Sequence, residues 1–480
     1  MVVNLFSARL LLQYLGVDDY GIYNVVGGVI LLMAFFSNTM SNANQRFMCI
    51  ELGRGRNDRA KAVLANGLFI NAIIVIFVLL IAETLGLWFL NNYINIPIGK
   101  EYDANIVYQT SLIVFIFHFL QIPFHATVIS YEKMKEFSYI SIFDCILKLS
   151  LIWSLHCFVD KLVAYSWLLA FESLIIFSIY YLYCNKQLLK VQYRGLISKD
   201  IISKMFSFIG WNTFGQISFI TANQGINIIL NIFFSVAVNS AMGIANQVNA
   251  AVLQFVTNFQ TAFRPSIMKI YSSREKDKLL SLVLSTSKLS FILLFIVSLP
   301  LIINIDYILK IWLENVPKFT SELCKLTIIF SLIEIITGTL LMVIYADGNI
   351  KKYQIVSGIL YLSSLPIAYV FLWFGLSPQS ALISKVLISV VILVYRVYIV
   401  NFQCGLSIKK EFIILCLKLA AFVALSAFIS VIIKSLFADS LFGLVMNICV
   451  ILLITLSSSF LILLNQSEKR LILKFIKIKK

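Results

Sequence analysis

The composition of the chain is that of a helical membrane protein. Of its 480 residues, 60% are hydrophobic and only 13% are charged, and the mean hydropathy is +0.92. These values exclude a soluble globular domain. Repeated apolar runs match the length of a membrane-spanning helix, whereas a β-barrel would show shorter alternating segments. The formal net charge is +16, but its placement in alternate loops indicates membrane orientation, so we expect no nucleic-acid partner.

The apolar runs predict an all-α fold with about 14 transmembrane helices. The first run, Met1 to Leu15, carries Arg9 and is too short to cross a bilayer fully, so we expect a truncated first helix. A hairpin within residues 205–263 supplies two spans. The other predicted spans are residues 22–40, 64–90, 106–130, 139–158, 162–184, 279–303, 324–345, 353–374, 381–402, 412–433 and 441–464.

The hairpin from Met205 to Phe263 contains no ionisable side chain, yet Asn and Gln recur along it. At helical spacing these amides fall on one face of each helix. Because uncharged amides are costly in hydrocarbon, they are predicted to line a hydrated cavity; the alternative is that they only bond neighbouring helices together. The predicted cavity-lining residues of the hairpin are Asn212, Gln216, Asn223, Asn227, Asn231, Asn246, Asn249, Gln254 and Asn258.

A similar polar face is predicted on the second span and its continuation. Asn24, Asn38 and Asn42 share this face with Arg46, and they are also predicted to line the cavity. On the second helix of the hairpin, Arg264 lies on the amide face.

An internal repeat with a period near 220 residues divides the chain. The segment 21–24 corresponds to 243–246, and 38–46 corresponds to 258–264. Since the period contains six spans, the two copies have the same orientation and predict two pseudo-symmetric six-helix lobes. The predicted organisation is a lobe over 1–184, a cytoplasmic linker over 185–204, a lobe over 205–402, and two extra helices with a basic tail over 403–480.

The distribution of Lys and Arg in the short loops sets the predicted orientation. Basic residues concentrate in one set of alternate loops, which includes the regions around Arg56, Lys199 and Arg274 and the C-terminal tail. By the positive-inside rule both termini are cytoplasmic.

Several segments resemble a known transporter family. They are LGVDDYGIYNVVGGV at 15–29, QRF at 45–47, ELG at 51–53, SFIGWNTFG at 207–215, QGINIILN at 224–231 and NFQTAFRP at 258–265. Over essentially its whole length the chain resembles the polysaccharide flippases of the multidrug/oligosaccharidyl-lipid/polysaccharide exporter superfamily, especially the O-antigen type. The resemblance implies a central cavity formed by helices 1, 2, 7 and 8. Family members begin about one helix earlier.

The resemblance implies that the substrate is an undecaprenyl-diphosphate-linked oligosaccharide, an O-antigen or capsule repeat unit. It would pass from the cytoplasmic to the periplasmic leaflet of a bacterial inner membrane by alternating access. The expected partners are this lipid-linked glycan, membrane lipids and other membrane proteins of polysaccharide assembly. On this interpretation Arg46 and Arg264, with Arg9 as a third charge, bind the diphosphate through guanidinium forks, although all are also typical positive-inside anchors.

The sequence contains neither a nucleotide-binding motif nor a recognisable cluster of catalytic residues. No GxxxxGK[ST] motif occurs, and the predicted outer loops hold no cluster of His, Asp or Glu. We therefore predict a transporter without a bound cofactor or metal, driven by a coupling proton or sodium ion. The alternative function is an ion-coupled multidrug antiporter of the same superfamily, which would be expected to place carboxylates in the cavity.

A few ionisable residues lie within predicted spans. Glu172 and Glu334 are the predicted ion-coupling residues, because an unpaired mid-span carboxylate is expected to hold a proton or an ion. The spacing of Asp144 and Lys148 predicts an ion pair, with a role in the cavity as the alternative. His118 and His125 are predicted to form a hydrogen-bonded pair, and Lys385 and Lys418 are predicted to snorkel or to contact lipid phosphates.

Overall fold

The structure, a computed structural model, describes residues 7, 10, 11, 13–16, 19–23, 26, 34–93, 96, 97, 99–189, 197–234, 236–313, 315–437, 440–464, 466, 468 and 469. Across these residues the regular structure is helical, with no β-strand. The predicted all-α membrane fold is therefore confirmed. The chain divides into two compact units, residues 1–213 and 214–480, and the boundary falls within one helix.

In the part of the N-terminal unit from residue 34 on, the structure describes six α-helices and the first part of a seventh. Their bounds are α1 Ala34–Gly53, α2 Asn57–Ile81, α3 Leu87–Tyr93, α4 Glu101–Ser130, α5 Met134–Ser154, α6 Lys161–Tyr183 and α7 Lys199–Phe233. A π-helical turn, Ala82–Gly86, joins α2 to α3. Here the Tyr108 hydroxyl donates to the Ala82 carbonyl at 2.8 Å, and a Cβ at Gly86 would lie 2.1 Å from that hydroxyl. Glycine therefore allows α4 to approach the turn.

Helix α4 lies at the centre of this unit, packed against α1, α2 and α6. Pro123 inside α4 has no N–H group, so the carbonyl of Phe119, four residues earlier, loses its helical donor. Asn71 of α2 donates to that carbonyl at 2.8 Å. The proline break is thus satisfied by a buried amide from a neighbouring helix.

An ion pair anchors the segment before α1. The Lys100 ammonium lies 3.1 Å from Asp19 and 3.3 Å from Asp103. The hydrogen bond to Asp19 raises the pKa of Lys100, so the lysine remains charged at physiological pH.

The C-terminal unit contains the remainder of α7 and seven further helices. Their bounds are α8 Val236–Ser273, α9 Lys276–Leu313, α10 Thr320–Asp347, α11 Lys351–Trp373, α12 Gln379–Phe402, α13 Lys409–Lys434 and α14 Leu441–Ser458. Helix α10 is the core of the unit: it packs against α8, α9 and α12, and 72% of its most apolar stretch is buried. It ends where Gly348 adopts a φ of +88°, a left-handed cap that glycine favours.

The two C-terminal helices pack on each other and on α9. The Asn304 amide of α9 donates to the Asn447 carbonyl oxygen of α14 at 2.9 Å, and both side chains are buried. Only 28% of the most apolar stretch of α13 or α14 is buried, as expected for helices that face lipid.

In the described part of the chain, ten helical segments are long and apolar enough to cross a membrane. They are Asn57–Asn92, Glu101–Ser130, Met134–Cys157, Lys161–Leu188, Lys276–Leu313, Thr320–Asp347, Lys351–Trp373, Gln379–Phe402, Lys409–Lys434 and Leu441–Leu463. The amide-bearing helices α1, α7 and α8 are not among them, although α7 and α8 have 35 and 38 residues. Most of the predicted first span, residues 1–15, lies outside the described residues.

Several predicted boundaries differ from the structure. Helix α1 continues to Gly53 beyond the predicted end at Met40, α9 continues to Leu313 beyond residue 303, and α7 begins at Lys199, within the predicted linker. Hydropathy detects only the part of a helix that lies in hydrocarbon, whereas backbone hydrogen bonding carries the helix into polar sequence.

Candidate substrate and ion sites

Helix α8 presents an amide face that the C-terminal unit leaves uncovered. Asn246, Gln254 and Asn258 are exposed, whereas Val252 and Val256 are buried against the unit. Because a row of uncovered amides is unfavourable against lipid, this face favours contact with water or a polar ligand.

Other amides of the hairpin hold helices together instead. Asn249 accepts a 2.8 Å hydrogen bond from Ser331 of α10, and Gln260 donates to the Ile335 carbonyl of α10 at 2.9 Å. Asn212 is fully buried. The interhelical interpretation therefore holds for Asn249 and Gln260, and the lining of a hydrated cavity stays a prediction for the exposed amides.

The remaining predicted cavity-lining residues have intermediate placements. Asn223 donates to the Phe219 carbonyl and Asn227 to Gln224, both at 2.9 Å on their own helix. Gln216 is half-buried, and Asn231 is exposed. In α1, Asn38 is exposed and Asn42 half-buried. Asn24 lies outside the described residues.

Arg46 of α1 lies against two aromatic rings. Its guanidinium carbon is 4.5 Å from the ring centroid of Phe47 and 5.3 Å from that of Phe208 on α7. Cation–π stacking uses the flat faces of the group, whereas phosphate oxygens bind its edge N–H groups. The stacking is therefore compatible with the predicted role in diphosphate binding.

Arg264 of α8 is half-buried and precedes Pro265, which lies inside the helix. It is close enough to the Tyr345 hydroxyl of α10 to interact electrostatically. Of the predicted diphosphate-binding arginines, Arg46 therefore stacks on aromatic rings of its own unit, and Arg264 lies within electrostatic range of a tyrosine of its own unit. The third predicted diphosphate ligand, Arg9, lies outside the described residues.

The N-terminal unit contains a cavity of about 330 Å³ that sequence reasoning did not identify. Helices α1, α4, α5 and α6 form its walls, which bring together residues up to 143 positions apart. Its volume and its mixture of polar and aromatic groups are typical of a small-molecule site. The lining residues are Ser37, Asn38, Ser41, His118, Gln121, Ile122, His125, Phe137, Ile140, Ser141, Asp144, Ile176 and Tyr180.

The two histidines of this cavity are not arranged as predicted. His125 packs edge-on against Phe137 and Tyr180, with ring centroids 5.4 and 5.7 Å away. Within the described residues His118 and His125 do not hydrogen bond to each other, so the predicted pair is wrong. Seven positions along a helix separate the two residues by about two turns, roughly 10 Å along the helix axis, which is too far for a direct hydrogen bond.

A carboxyl pair joins α5 to α6 at this cavity. Glu172, which is only 8% exposed, lies close enough to Asp144 and to Lys148 to interact with both electrostatically. Within the described residues Asp144 and Lys148 form no direct ion pair, so that prediction is wrong; both instead lie in the electrostatic environment of Glu172, one of the two predicted coupling residues. Two carboxyl groups close together in a low-dielectric interior do not readily both carry a negative charge, so this cluster is able to hold a proton or a cation.

The second predicted coupling residue, Glu334, is not unpaired. Arg396 of α12 donates to it at 3.0 Å, and the Tyr361 hydroxyl of α11 lies 3.1 and 3.2 Å from its two oxygens. Arg396 also donates to the Tyr353 hydroxyl at 2.9 Å and to Thr337. Sequence reasoning missed Arg396, whose position inside an apolar span was the available signal.

Lys385 of α12 does not snorkel. It is buried, and its ammonium nitrogen lies 4.0 Å from the ring centroid of Phe330 on α10. Packing against α10 holds the side chain inside the unit. Lys418 of α13, by contrast, is exposed on its helix.

Comparison with known proteins supports the predicted fold. The chain matches no protein-family model. It is 21% identical over 325 residues to the uncharacterized membrane protein EpsK of Bacillus subtilis (strain 168), a match that covers 66% of this chain and 63% of EpsK. The matched region thus spans less than two thirds of that relative's length.

Two solved structures have closely similar folds. One is an outward-facing multidrug resistance MATE family transporter of the MOP superfamily, with a TM-score of 0.69, 12% identity and coverage of 84% of this chain and 92% of that one. The other is a MOP superfamily transporter from Pyrococcus furiosus Vc1, described as having a binding pocket of reverse polarity that suggests a different function. Its TM-score is 0.68 at 11% identity, with 84% and 92% coverage. This chain therefore has the fold of the MATE transporters of the MOP superfamily.

Proposed function

We propose that this protein is a flippase for undecaprenyl-diphosphate-linked oligosaccharides. It would carry an O-antigen or capsule repeat unit from the cytoplasmic to the periplasmic leaflet of a bacterial inner membrane by alternating access, with both termini in the cytoplasm. Its partners would be the lipid-linked glycan, membrane lipids and other proteins of polysaccharide assembly.

The observation that carries this proposal is the uncovered, uncharged amide face of α8. No ionisable side chain occurs between Met205 and Phe263, while Asn246, Gln254 and Asn258 are exposed. Glycan hydroxyl groups donate and accept hydrogen bonds, and amides offer both functions without charge. A carboxylate, which would attract an organic cation, is absent from this segment.

Two arginines, Arg46 and Arg264, supply the positive charge that an anionic lipid headgroup requires. Arg46 and Arg264 occupy matching positions of the sequence repeat, at the ends of the polar faces of α1 and α8. A guanidinium group binds phosphate oxygens through two parallel hydrogen bonds and keeps its charge when partly desolvated. The Pyrococcus transporter with reversed pocket polarity supports the view that this fold accommodates substrates of different charge.

The Asp144–Glu172 pair is the proposed site of ion coupling in the N-terminal unit. Because the sequence has no nucleotide-binding motif, directed transport would draw on a proton or sodium gradient. Two carboxyl groups beside one lysine are able to exchange a proton for a cation with little change in net charge.

A second candidate function, the ion-coupled multidrug antiporter, is favoured by the cavity of the N-terminal unit. Asp144 lies on its wall with the aromatic rings of Phe137 and Tyr180, a combination that suits an organic cation.

One experiment distinguishes the two candidates. The purified protein is reconstituted into liposomes, and an externally added glycosidase reports the arrival of an undecaprenyl-diphosphate-linked oligosaccharide at the outer leaflet. Excess ethidium is added as a competing organic cation. A flippase exposes the glycan whether or not ethidium is present. Uptake of ethidium against its gradient, with no glycan exposure, would identify the antiporter.

A further inference from the structure

Lys385 is a buried lysine for whose ammonium group the described residues provide no hydrogen-bond acceptor. The side chain is 8% exposed, and its ammonium lies 4.0 Å from the centroid of the apolar Phe330 ring. Within the described residues the ammonium donates no hydrogen bond. Such a group is costly inside a membrane protein unless its charge is balanced or removed.

The nearby charges do not balance Lys385. Helix α10 contributes Glu334, which influences Lys385 electrostatically but is already in direct contact with Arg396. Helix α11 contributes the Tyr353 and Tyr361 hydroxyls, which bond to Arg396 and Glu334. Two cations of α12 thus share one carboxylate.

Within the described residues, the other helices packed around α12 place no carboxylate beside Lys385, since Glu411 of α13 lies in the first turn of that helix. The part of α7 that contacts α11 and α12 has no ionisable side chain, and the in-span charge of α13 is the exposed Lys418. The cluster of Lys385, Glu334 and Arg396 therefore has a formal charge of one positive unit when both bases are protonated.

Only one of the two basic residues, Lys385 and Arg396, is able to lose a proton and so remove the excess positive charge. Arginine remains protonated in proteins, and Arg396 is fixed by Glu334, Tyr353 and Thr337. A lysine amine releases its proton when its surroundings do not support the charge. The Phe330 face attracts the ammonium, but more weakly than the water or counter-charge that burial removes, and the same electron-rich face disfavours an anionic ligand.

We propose that Lys385 is a proton-binding site in the C-terminal unit and that its protonation is coupled to transport. The ammonium releases one proton to water on one side of the membrane, and the neutral amine takes one proton from water on the other side. No electron is transferred, and the Glu334–Arg396 pair keeps its charges throughout. The coupling step rests on the proposed transport function, but the proton site does not.

The first test measures the protonation of Lys385 directly. Protein labelled with 15N at the lysine ε-amino groups is reconstituted into liposomes and studied by solid-state NMR. The Lys385 signal is identified by its absence in Lys385→Arg, or in Lys385→Met if the arginine variant does not fold. We expect this signal to change from ammonium to amine within the physiological pH range. A signal that stays ammonium throughout this range would overturn the proposal.

The second test measures coupling, with Lys418→Arg as the matched control. In liposomes with an imposed pH gradient, Lys385→Arg should reduce gradient-stimulated glycan translocation by about tenfold and leave translocation without a gradient unchanged. Lys418→Arg should behave as the parent. Equal gradient stimulation in Lys385→Arg would refute coupling. If the parent protein moves no glycan, the proposed function fails, while the NMR titration still decides whether Lys385 binds a proton.

Discussion

Arg396 of α12 donates a 3.0 Å hydrogen bond from Nη1 to Oε2 of Glu334 on α10, across 62 positions of the sequence. The guanidinium is almost fully buried, and the carboxylate side chain is 21% exposed. The pair therefore joins two core helices of the C-terminal unit by charge as well as by packing.

Glu334→Gln should destabilise the protein, because it leaves the Arg396 charge buried without its counter-ion. We expect a loss of about 2–3 kcal/mol, below the range for a fully buried pair since Glu334 is partly exposed. Thermal unfolding followed by the fluorescence of the six tryptophans measures the change.

Two variants test the cause of this loss. Glu322→Gln alters an exposed carboxylate at the start of the same helix and should leave the unfolding temperature nearly unchanged. Adding Arg396→Met to Glu334→Gln removes the unpaired charge and should recover part of the stability. Loss from Glu322→Gln equal to that from Glu334→Gln would show that the pair contributes nothing specific.

Asn71→Leu should also destabilise the protein. The Asn71 amide is the donor for the Phe119 carbonyl that Pro123 leaves without a helical partner, and an unsatisfied buried carbonyl costs about 1–3 kcal/mol. Asn92→Leu, which removes an exposed amide bonded to its own helix, is the control. If both variants unfold at the parent's temperature, the carbonyl of Phe119 does not need Asn71.

The sequence identifies the long-range architecture better than the ionic contacts. Apolar periodicity predicts a helical hairpin within residues 205–263, and the structure has the two helices Lys199–Phe233 and Val236–Ser273 there. Amide spacing predicts the polar face of α8, because helical geometry alone determines which residues share a face.

The pairing of Glu334 with Arg396 is not predictable from spacing, because the two residues belong to helices whose contact is set by tertiary packing. For the same reason, spacing does not predict that Glu172 on α6 lies near Asp144 on α5. Nor does it predict that Lys385 is buried against Phe330. The sequence shows only that each residue lies in an apolar span. Which neighbour satisfies it depends on helix rotation, which an apolar run does not specify.

Glu172→Gln should weaken the response of transport to an ion gradient. Glutamine retains hydrogen bonding but loses the titratable carboxyl group that faces Asp144 and Lys148. Glycan translocation in liposomes is measured with an imposed pH gradient and, separately, with a sodium gradient. The exposed in-span residue Glu83 provides the control Glu83→Gln. Unchanged dependence on both gradients would remove Glu172 from the coupling mechanism.

Cysteine labelling tests the proposed orientation of the helices. With the exposed residues Cys145, Cys157 and Cys449 replaced by serine, an impermeant maleimide should label Ser377→Cys in intact cells. It should label Arg56→Cys only after the membrane is opened, because positive charge is retained on the cytoplasmic side. Labelling of Arg56→Cys but not Ser377→Cys in intact cells would invert the topology.

Recognition of the diphosphate by Arg46 and Arg264 is tested most sharply by lysine substitution. Lysine retains the positive charge that orients a membrane helix but loses the planar guanidinium fork. Arg54→Lys and Arg274→Lys are matched controls, since both arginines are exposed in turns next to the same helices.

The decisive measurement is the initial rate at which an undecaprenyl-diphosphate-linked oligosaccharide reaches the outer leaflet of liposomes containing each variant. The parent and both control variants should translocate the glycan at similar rates. Arg46→Lys and Arg264→Lys should each be slower by about tenfold, the effect of losing one charge-assisted hydrogen bond of about 1.4 kcal/mol. No translocation by the parent would contradict the flippase function, and parental rates in both lysine variants would contradict diphosphate recognition by these arginines.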